Sequence, residues 1–243
     1  MHPIICSIGN FNVYSYGLML VIAFLTCSYL AAQEAKRQGI DPDIIFNFLF
    51  LAFTLGILGA RIFYVIENIQ YYLREPIEII RLQHGGLSWF GGLIMGVIFT
   101  YLYLKNKNQD IYKILDLVMT YVALGQSLGR LGCFFNGCCY GKISGTGIYF
   151  SAHDAILIPA QLYSSLLLVL MFVVLRYMQD KPHWSGKIFF LYLFLYSIKR
   201  FFIEFWRADN QIWLFGLTLF QLMSIALFVI SFSVLLRKSR LKK

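Results

Sequence analysis

Long apolar stretches divide the chain at nearly regular intervals, and most polar residues lie in the short segments between them. A hydrocarbon core about 30 Å thick requires roughly 20 apolar residues for each helix that crosses it. Stretches of that length occur near 14–34, 44–66, 86–105, 111–132, 158–178, 187–206 and 213–236. The pattern predicts an all-α polytopic membrane protein with seven transmembrane helices.

The composition supports this class, because 59% of the 243 residues are hydrophobic and 14% are charged. That ratio exceeds what the core of a soluble protein of this length needs. No linker or low-complexity segment interrupts the chain, which predicts one integral-membrane domain over residues 1–243. Between the spans, the segment 67–85 predicts a short interfacial helix, and the glycine turns of 133–157 predict a small hairpin or irregular cap.

The distribution of basic residues predicts the orientation of the helices, because lysine and arginine in short loops stay on the cytoplasmic side. Most of the 21 basic residues fall on one side if the N-terminus is outside. They are Lys36, Arg37, Lys105, Lys107, Lys113, Arg176, Lys181, Lys187, Arg237, Lys238, Arg240, Lys242 and Lys243. The C-terminus is therefore expected in the cytoplasm and the cap on the outer face. The net charge of +9 then reflects topology and contact with anionic lipids, so no nucleic-acid partner is expected.

Basic residues also occur inside predicted spans, where a central charge costs at least about 2.5 to 3.5 kcal/mol on insertion scales. They are Arg61, Arg130, Lys199 and Arg200. On the predicted topology the three arginines reach the same depth in the outer half of the bundle. Glu204, one turn after Arg200, and Tyr16, at the outer start of the first helix, lie at that depth too.

Two interpretations account for these arginines. They extend to outer headgroups or pair with Glu67 and Glu204 to support packing. Alternatively, they form an anion site, because the planar guanidinium fork suits phosphate and keeps its charge. The anion available at that depth is a phospholipid headgroup.

The stretch GRLGCFFNGCCYG (129–141) resembles the signature of the bacterial prolipoprotein diacylglyceryl transferase family, usually G-R-x-G-N-F-x-N-x-E-x-x-G. The resemblance extends in order over nearly the whole chain, which makes it far more specific than one motif. The other matching stretches are CSIGNFNVYSYG (6–17), GARIFYV (59–65), GGLSWFGG (85–92), PAQLY (159–163), KRFFIEFWRADN (199–210) and GLTLFQLMSI (216–225).

The resemblance implies transfer of the diacylglyceryl group of phosphatidylglycerol to the lipobox cysteine of a preprolipoprotein, with release of glycerol phosphate. It implies a multi-pass protein of the bacterial cytoplasmic (inner) membrane whose active site faces the outer leaflet. The expected partners are phosphatidylglycerol, preprolipoprotein signal peptides and membrane lipids. The nucleophile is the substrate's thiol, and no cofactor or metal is expected.

Residue roles follow from the matched motifs. Arg130 and Arg200 would hold the phosphate and stabilise charge on the departing glycerol phosphate. Glu204 would orient an arginine, and Tyr16 would complete the catalytic set. The matched substrate-binding positions are Arg130, Asn136, Gly141, Arg61, Gly91, Gly92, Gln161, Tyr163 and Arg207.

The chain departs from the family pattern at positions where the family has histidines that could act as a general base for the thiol. Phe90 stands where the family has histidine, and Ile158 replaces the histidine before the PAQLY stretch. Three explanations are left: His84 acts as the base, Glu204 does, or neighbouring arginines make a protein base unnecessary. These departures also allow a second interpretation of the function, in which the chain is a family member that acts on a different phospholipid or acceptor.

Cys133 and Cys138 replace the asparagine and glutamate of the signature, and Cys139 follows. Their spacing does not match the paired C-x-x-C motifs of zinc sites. Buried, unreactive thiols or a disulfide from Cys133 to one of the others are the alternatives considered. A non-catalytic phospholipid carrier is the remaining functional alternative, although no repeat relates 1–120 to 121–243, as transporters often show.

Overall fold

A computed structural model describes residues 3–8, 11–81, 85–208 and 211–240 of the chain, and within them the protein is mostly helical. The helices are α1 (Ser15–Arg37), α2 (Pro42–Glu67), α3 (Ile69–Tyr72), α4 (Trp89–Asn106), α5 (Ile111–Asn136), α6 (Ala160–Gln179), α7 (Lys187–Glu204) and α8 (Leu219–Arg240). Each of the seven predicted spans contains one of the long helices.

Four of the described helices, α1, α2, α6 and α8, are long and apolar enough to cross a membrane. The other three predicted spans are occupied by α4, α5 and α7, of 18, 26 and 18 residues. Helix α7 contains Lys199, Arg200 and Glu204 within its last six residues. These polar side chains lie at the end of α7 and are the ones that made it part of the candidate site.

Three small antiparallel hairpins join the helices. They pair β1 (Ile4–Ile8) with β2 (Phe11–Tyr14), β3 (Ile143–Phe150) with β4 (Ala155–Leu157), and β5 (Ile212–Leu214) with β6 (Leu217–Thr218). The β3–β4 hairpin confirms the cap predicted for 133–157. The other two hairpins correct the all-α prediction, because strands this short contain too few residues for an alternating pattern to show.

The seventh span begins later than its hydrophobic pattern predicts. Phe215 and Gly216 have φ values of 53° and 75°, which an α-helix cannot continue through. Helix α8 starts after a capping box, in which the Thr218 N–H donates to Gln221 Oε1 at 2.9 Å and the Gln221 N–H donates to Thr218 Oγ1 at 3.3 Å. The apolar run from residue 213 therefore includes a strand and a turn.

The segment 67–85 also differs from its prediction. It contains α3 and a 3₁₀ turn at Pro76–Ile79 instead of one interfacial helix. Ile77 and Ile80 are exposed, as expected for a lipid-facing pair, whereas Leu82 lies outside the described residues.

The chain forms two compact units, which are described separately: a first unit of residues 1–30 and 115–243, and a second unit of residues 31–114. In the first unit α1 packs closely on α5, since a Cβ on Gly132 would lie 2.9 Å from Met19 Cβ. The Cys27 thiol donates to the Tyr121 carbonyl at 3.1 Å. An apolar core joins α5, α6 and α7. It contains Ala123, Leu168, Met171, Leu175, Ile188 and Tyr192.

The second unit is built on a close contact between α2 and α4. A Cβ on Gly59 would lie 2.6 Å from the Gly91 carbonyl oxygen, and one on Gly92 would lie 3.1 Å from that of Gly56. Glycine at these positions lets the two backbones approach, which favours helix association in lipid. Gly91 and Gly92 therefore lie in a helix–helix contact.

A buried carboxylate holds the start of α7 in the first unit. Asp116 on α5 is 4% exposed, and its oxygens accept hydrogen bonds from the N–H groups of Gly186 at 2.7 Å and Phe189 at 2.8 Å. These N–H groups belong to the first turn of α7 and have no partner within the helix. Asp116 thus acts as a distant N-cap that fixes α7 against α5.

Replacement of Asp116 by Ala is expected to destabilise the protein by about 2 kcal/mol, because two helix N–H groups lose a charged acceptor. Asp116→Asn retains one acceptor oxygen and should lose less. The measurement is equilibrium or thermal unfolding of purified variants in one detergent. Equal stability of all three proteins would contradict this role for Asp116.

Candidate functional site

Four basic side chains of the first unit lie within electrostatic reach of one another. Lys199 interacts with the charges of Arg130, Arg200 and Arg207. Lys199 and Arg200, near the end of α7, are 6% and 9% exposed, whereas Arg130 on α5 and Arg207 after α7 are half-buried. We call these four residues the basic cluster. Burying this much like charge is costly unless negative or polar groups offset it.

Glu204 supplies one offsetting charge and is itself held from two sides. Its Oε2 lies 3.2 Å from the Arg200 guanidinium, one turn earlier on α7. Its Oε1 accepts a hydrogen bond from the Thr218 hydroxyl at 2.9 Å. Because Thr218 also caps α8, the start of α8 fixes the carboxylate and, through it, the position of Arg200. The Phe220 ring lies 4.4 Å from the Arg200 guanidinium carbon and adds a cation–π contact.

Lys199 has neutral partners. Its ammonium group donates to the Ser164 hydroxyl on α6 at 3.1 Å and lies 4.6 Å from the centre of the Tyr196 ring. In the sequence Lys199 stands out as a charge inside a predicted span, but the matched motifs give it no site role. Nothing in the sequence marked Ser164 and Thr218 as site residues, since isolated hydroxyl residues are common in membrane helices.

Arg130 differs from Arg200 in its partners. Its half-buried guanidinium makes no hydrogen bond or ion pair with any residue that the structure describes. The side chain lies within electrostatic reach of Tyr16, which is 38% exposed at the start of α1. Among the described residues, the Arg130 guanidinium therefore has no hydrogen-bonded counter-charge.

The polypeptide after α5 joins three distant segments beside the basic cluster. The Gly141 N–H donates to the Ile158 carbonyl at 2.9 Å, and the Lys142 N–H donates to the Trp206 carbonyl at 2.8 Å. A Cβ on Gly141 would lie 2.7 Å from Ile158 Cβ and 2.8 Å from the Trp206 oxygen, so only glycine fits this junction. Gln161, at the start of α6, donates to the Cys138 carbonyl at 2.7 Å.

The first unit thus brings together segments that the sequence separates by about 200 residues, from Tyr16 to Thr218. A family model described as "Prolipoprotein diacylglyceryl transferase" matches residues 3–237. The chain belongs to the prolipoprotein diacylglyceryl transferase family.

Curated relatives agree with this assignment. The chain is 36% identical over 218 residues to the phosphatidylglycerol–prolipoprotein diacylglyceryl transferase of Clostridium tetani, with 87% of each chain covered. It is 33% identical over 255 residues to the protein of that name from Pediococcus pentosaceus, covering 98% of this chain and 91% of the relative. For the Streptococcus pyogenes serotype M1 protein the identity is 34% over 252 residues, covering 100% and 97%.

Most residues that the family resemblance selected lie in the first unit. Arg130, Arg200 and Arg207 belong to the basic cluster, and Tyr16 and Glu204 lie beside it. The junction after α5 adds Asn136, Gly141, Gln161 and Tyr163. The Tyr163 ring packs edge-on against Trp206 with 5.7 Å between ring centres, which ties α6 to the segment after α7.

Arg61, Gly91 and Gly92 belong to the second unit. The Arg61 guanidinium is 6% exposed and donates to backbone carbonyls of Glu78, Ile79, Arg81, Gly85 and Gly86. These five hydrogen bonds use all five of its N–H groups. Arg61 therefore holds the segment between α3 and α4. The Glu67 carboxylate, suggested as its partner, accepts instead from the Ser88 hydroxyl at 3.1 Å.

The structure describes only some of the residues considered in connection with a general base. Glu204 is 3% exposed and bound to Arg200 and Thr218, which leaves it a positioning group for Arg200. Phe90, at the position of the family histidine, is 46% exposed. His84 lies outside the described residues.

All five cysteines are free thiols in the described structure. Cys133 is buried, in agreement with the prediction of packed thiols, and Cys138 and Cys139 are half-buried. Hydrogen bonds from the Cys133 and Cys138 thiols, with the charges of Arg207 and Arg130, lower the pKa of the Cys139 thiol below its ordinary value.

A methyl group at the junction should disrupt it. Gly141→Ala is expected to destabilise the protein by about 1 to 3 kcal/mol, because its Cβ overlaps Ile158 and the Trp206 carbonyl. Gly145→Ala is the matched control, since a Cβ at that position has no neighbour within 4 Å. Thermal unfolding in detergent compares the two variants, and equal melting temperatures would show that the junction tolerates a side chain.

Proposed function

We propose that this protein transfers the diacylglyceryl group of phosphatidylglycerol to the lipobox cysteine of preprolipoproteins, the first step of lipoprotein maturation. Family membership over nearly the full chain supports the activity. The observation that carries the mechanism is Arg130, whose guanidinium has no hydrogen-bond partner among the described residues although it lies within electrostatic reach of Lys199 and Arg200. A phosphate group is the natural counter-ion for such a site.

The proposed reaction requires the protein to stabilise a leaving group. The cysteine thiol of the acceptor releases its proton to water, and its sulfur attacks the glycerol carbon of the lipid that bears the phosphate ester. As that carbon–oxygen bond breaks, the electron pair moves to the phosphate oxygen and glycerol phosphate departs. Arg130 and Arg200 bind the phosphate and offset this charge in a site with little water.

Other residues position these two arginines and the lipid. Glu204 fixes Arg200, while Lys199 adds a point charge from the same helix turn. Tyr16 and Asn136 line the pocket, and Gly141, Gln161, Tyr163 and Arg207 shape it at the junction. Arg61, Gly91 and Gly92 contribute indirectly through the second unit, by holding its outer segment and its helix pair.

The site is proposed to lie in a single integral-membrane domain over residues 1–243, in the bacterial cytoplasmic membrane. Seven helices cross the bilayer, with the N-terminus outside, the C-terminus in the cytoplasm and the active site towards the outer leaflet. The seven long helices at the predicted spans and the asymmetry of basic residues support this arrangement. Phosphatidylglycerol and preprolipoprotein signal peptides are the proposed partners.

A reporter at the C-terminus tests the topology. Green fluorescent protein fused there is expected to fluoresce, whereas alkaline phosphatase fused there should be inactive, because the two reporters mature on opposite sides of the membrane. Phosphatase activity at that end would reverse the orientation or change the number of spans by one.

An assay with purified protein, phosphatidylglycerol and a lipobox peptide tests the function, with mass spectrometry detecting the diacylglyceryl thioether. Arg130→Ala and Arg200→Ala are each expected to slow product formation about 100-fold, since each removes donors that stabilise the leaving group. Arg130→Lys should recover part of the rate, because it restores the charge without the planar fork.

The control is Arg237→Ala, which removes an exposed arginine at the far end of α8 and should act like the parent protein. Thermal unfolding confirms that each variant is folded. Full turnover by folded Arg130→Ala would overturn the site assignment. Product from another phospholipid but not from phosphatidylglycerol would show a family member with a changed substrate.

A further inference from the structure

Three cysteines form a cluster beside the basic cluster. The sulfur atoms of Cys133, Cys138 and Cys139 all lie within 4.8 Å of one another. Cys133 is in the last turn of α5, and the other two follow the end of that helix. We call these residues the thiol cluster. The mechanism described above uses none of them.

The end of α5 is shaped to bring these thiols together. Gly137 ends the helix with a φ of 77°, and the Cys138 N–H then donates to the Cys133 carbonyl at 3.1 Å. Cys139 has a φ of 59°, a left-handed conformation that costs a non-glycine residue roughly 1 kcal/mol or more. The chain therefore accepts local strain in the turn that places the second and third sulfur atoms near the first.

The spacing of the sulfur atoms suits a small thiophilic cation. Three thiolates bound to Zn²⁺ at about 2.3 Å are about 3.8 to 4.0 Å apart, so a contraction of less than about 1 Å completes the geometry. Soft thiolate donors favour d¹⁰ cations of this kind over magnesium or calcium. Because a zinc ion usually takes four ligands, three cysteines leave one position open, as in catalytic zinc sites.

The surroundings match the charge of such a complex. One Zn²⁺ ion with three thiolates carries a net charge of −1. Arg130 and Arg207 interact electrostatically with Cys139 and would offset it. Tyr16 is within electrostatic reach of the same three cysteines and of Arg130, which places the thiol cluster next to the proposed phosphate site. The expectation of no metal, which followed from the family resemblance and from the cysteine spacing, is revised on this geometry.

We propose that Cys133, Cys138 and Cys139 bind a zinc ion whose fourth position takes the lipobox cysteine sulfur of the acceptor as a thiolate. The proposal rests on the proposed transferase function and names how its nucleophile is activated in a chain with Phe90 at the position of the family histidine. On binding, the acceptor thiol releases its proton to water. The sulfur then forms the bond to the glycerol carbon, and the carbon–oxygen bond breaks with its electron pair leaving on the phosphate. No oxidant or reductant takes part.

Metal content tests the site without reference to activity. The full chain, purified in detergent with a reductant, is loaded with Zn²⁺, freed of excess metal and measured by mass spectrometry of elements. One zinc per chain is expected. Loading with Co²⁺ should give the thiolate-to-cobalt absorption bands of a sulfur-rich tetrahedral site. A reduced, folded protein that retains no metal would overturn the proposal, as would a disulfide within the thiol cluster that resists the reductant.

Single substitutions locate the metal. Cys133→Ser, Cys138→Ser and Cys139→Ser should each lose most of the bound zinc, whereas Cys6→Ser, which changes an exposed cysteine on β1, should retain it. Retention of one zinc by all three cluster variants would place the metal elsewhere. If a variant does not fold, the metal content and cobalt spectrum of the parent protein still decide the proposal.

The acceptor peptide tests the open position. A lipobox peptide is expected to shift the cobalt spectrum, and its Cys→Ser form is not. Removing zinc with a chelator should slow thioether formation about 100-fold, the size of effect expected when nucleophile activation is lost. Unchanged turnover without metal would overturn this role and leave the transferase standing. A metal-bound, peptide-binding protein that makes no thioether would instead overturn the transferase and leave the zinc site standing.

Discussion

Positive charge buried within an apolar helical protein is the constraint on which the rest of this structure depends. A charged side chain taken from water loses several kcal/mol of hydration free energy, and its partners in the protein must compensate for that loss. Around Lys199 and Arg200 the compensating groups are a carboxylate, a serine hydroxyl and the faces of two aromatic rings. Helices α6, α7 and α8 are all required to supply these groups, so the cations set how the first unit packs.

Two arginines inside predicted spans solve this problem differently, and the difference separates a structural role from a binding role. Arg61 directs its donors at backbone carbonyls of one short segment, so its charge fixes a loop. Arg130 makes no comparable contact with the described residues and lies within electrostatic reach of Lys199 and Arg200. The two side chains look alike in sequence, since each follows a small residue in an apolar helix. Their partners, and hence their roles, depend on which segment folds over each one.

The glycines and cysteines of the signature act on the same region through geometry. The absence of a side chain at Gly132 lets α1 approach closely. At Gly141 it lets both the segment before α6 and the segment after α7 approach. Between them, the turn at Gly137 folds the chain back so that three thiols meet. Substituting Cys133 and Cys138 for the family's asparagine and glutamate thus replaces two polar side chains by two soft metal donors at one place. That exchange is where this chain departs from its relatives' signature beside the phosphate site.

The sequence alone determined the helical framework, because an apolar run of about 20 residues has one stable form in hydrocarbon, a helix that satisfies its own backbone. It also identified Arg130, Arg200 and Glu204, since charges inside such runs are costly enough to stand out. It did not locate the β1–β2 and β5–β6 hairpins or the true start of α8, where an apolar strand and an apolar helix have the same composition. Only the tertiary structure decided that Arg61 hydrogen-bonds a loop, that Thr218 and Ser164 contact charged residues of the candidate site, and that three cysteines converge. Those outcomes depend on contacts between residues far apart in the chain, and no local pattern of hydrophobicity or charge encodes such distances.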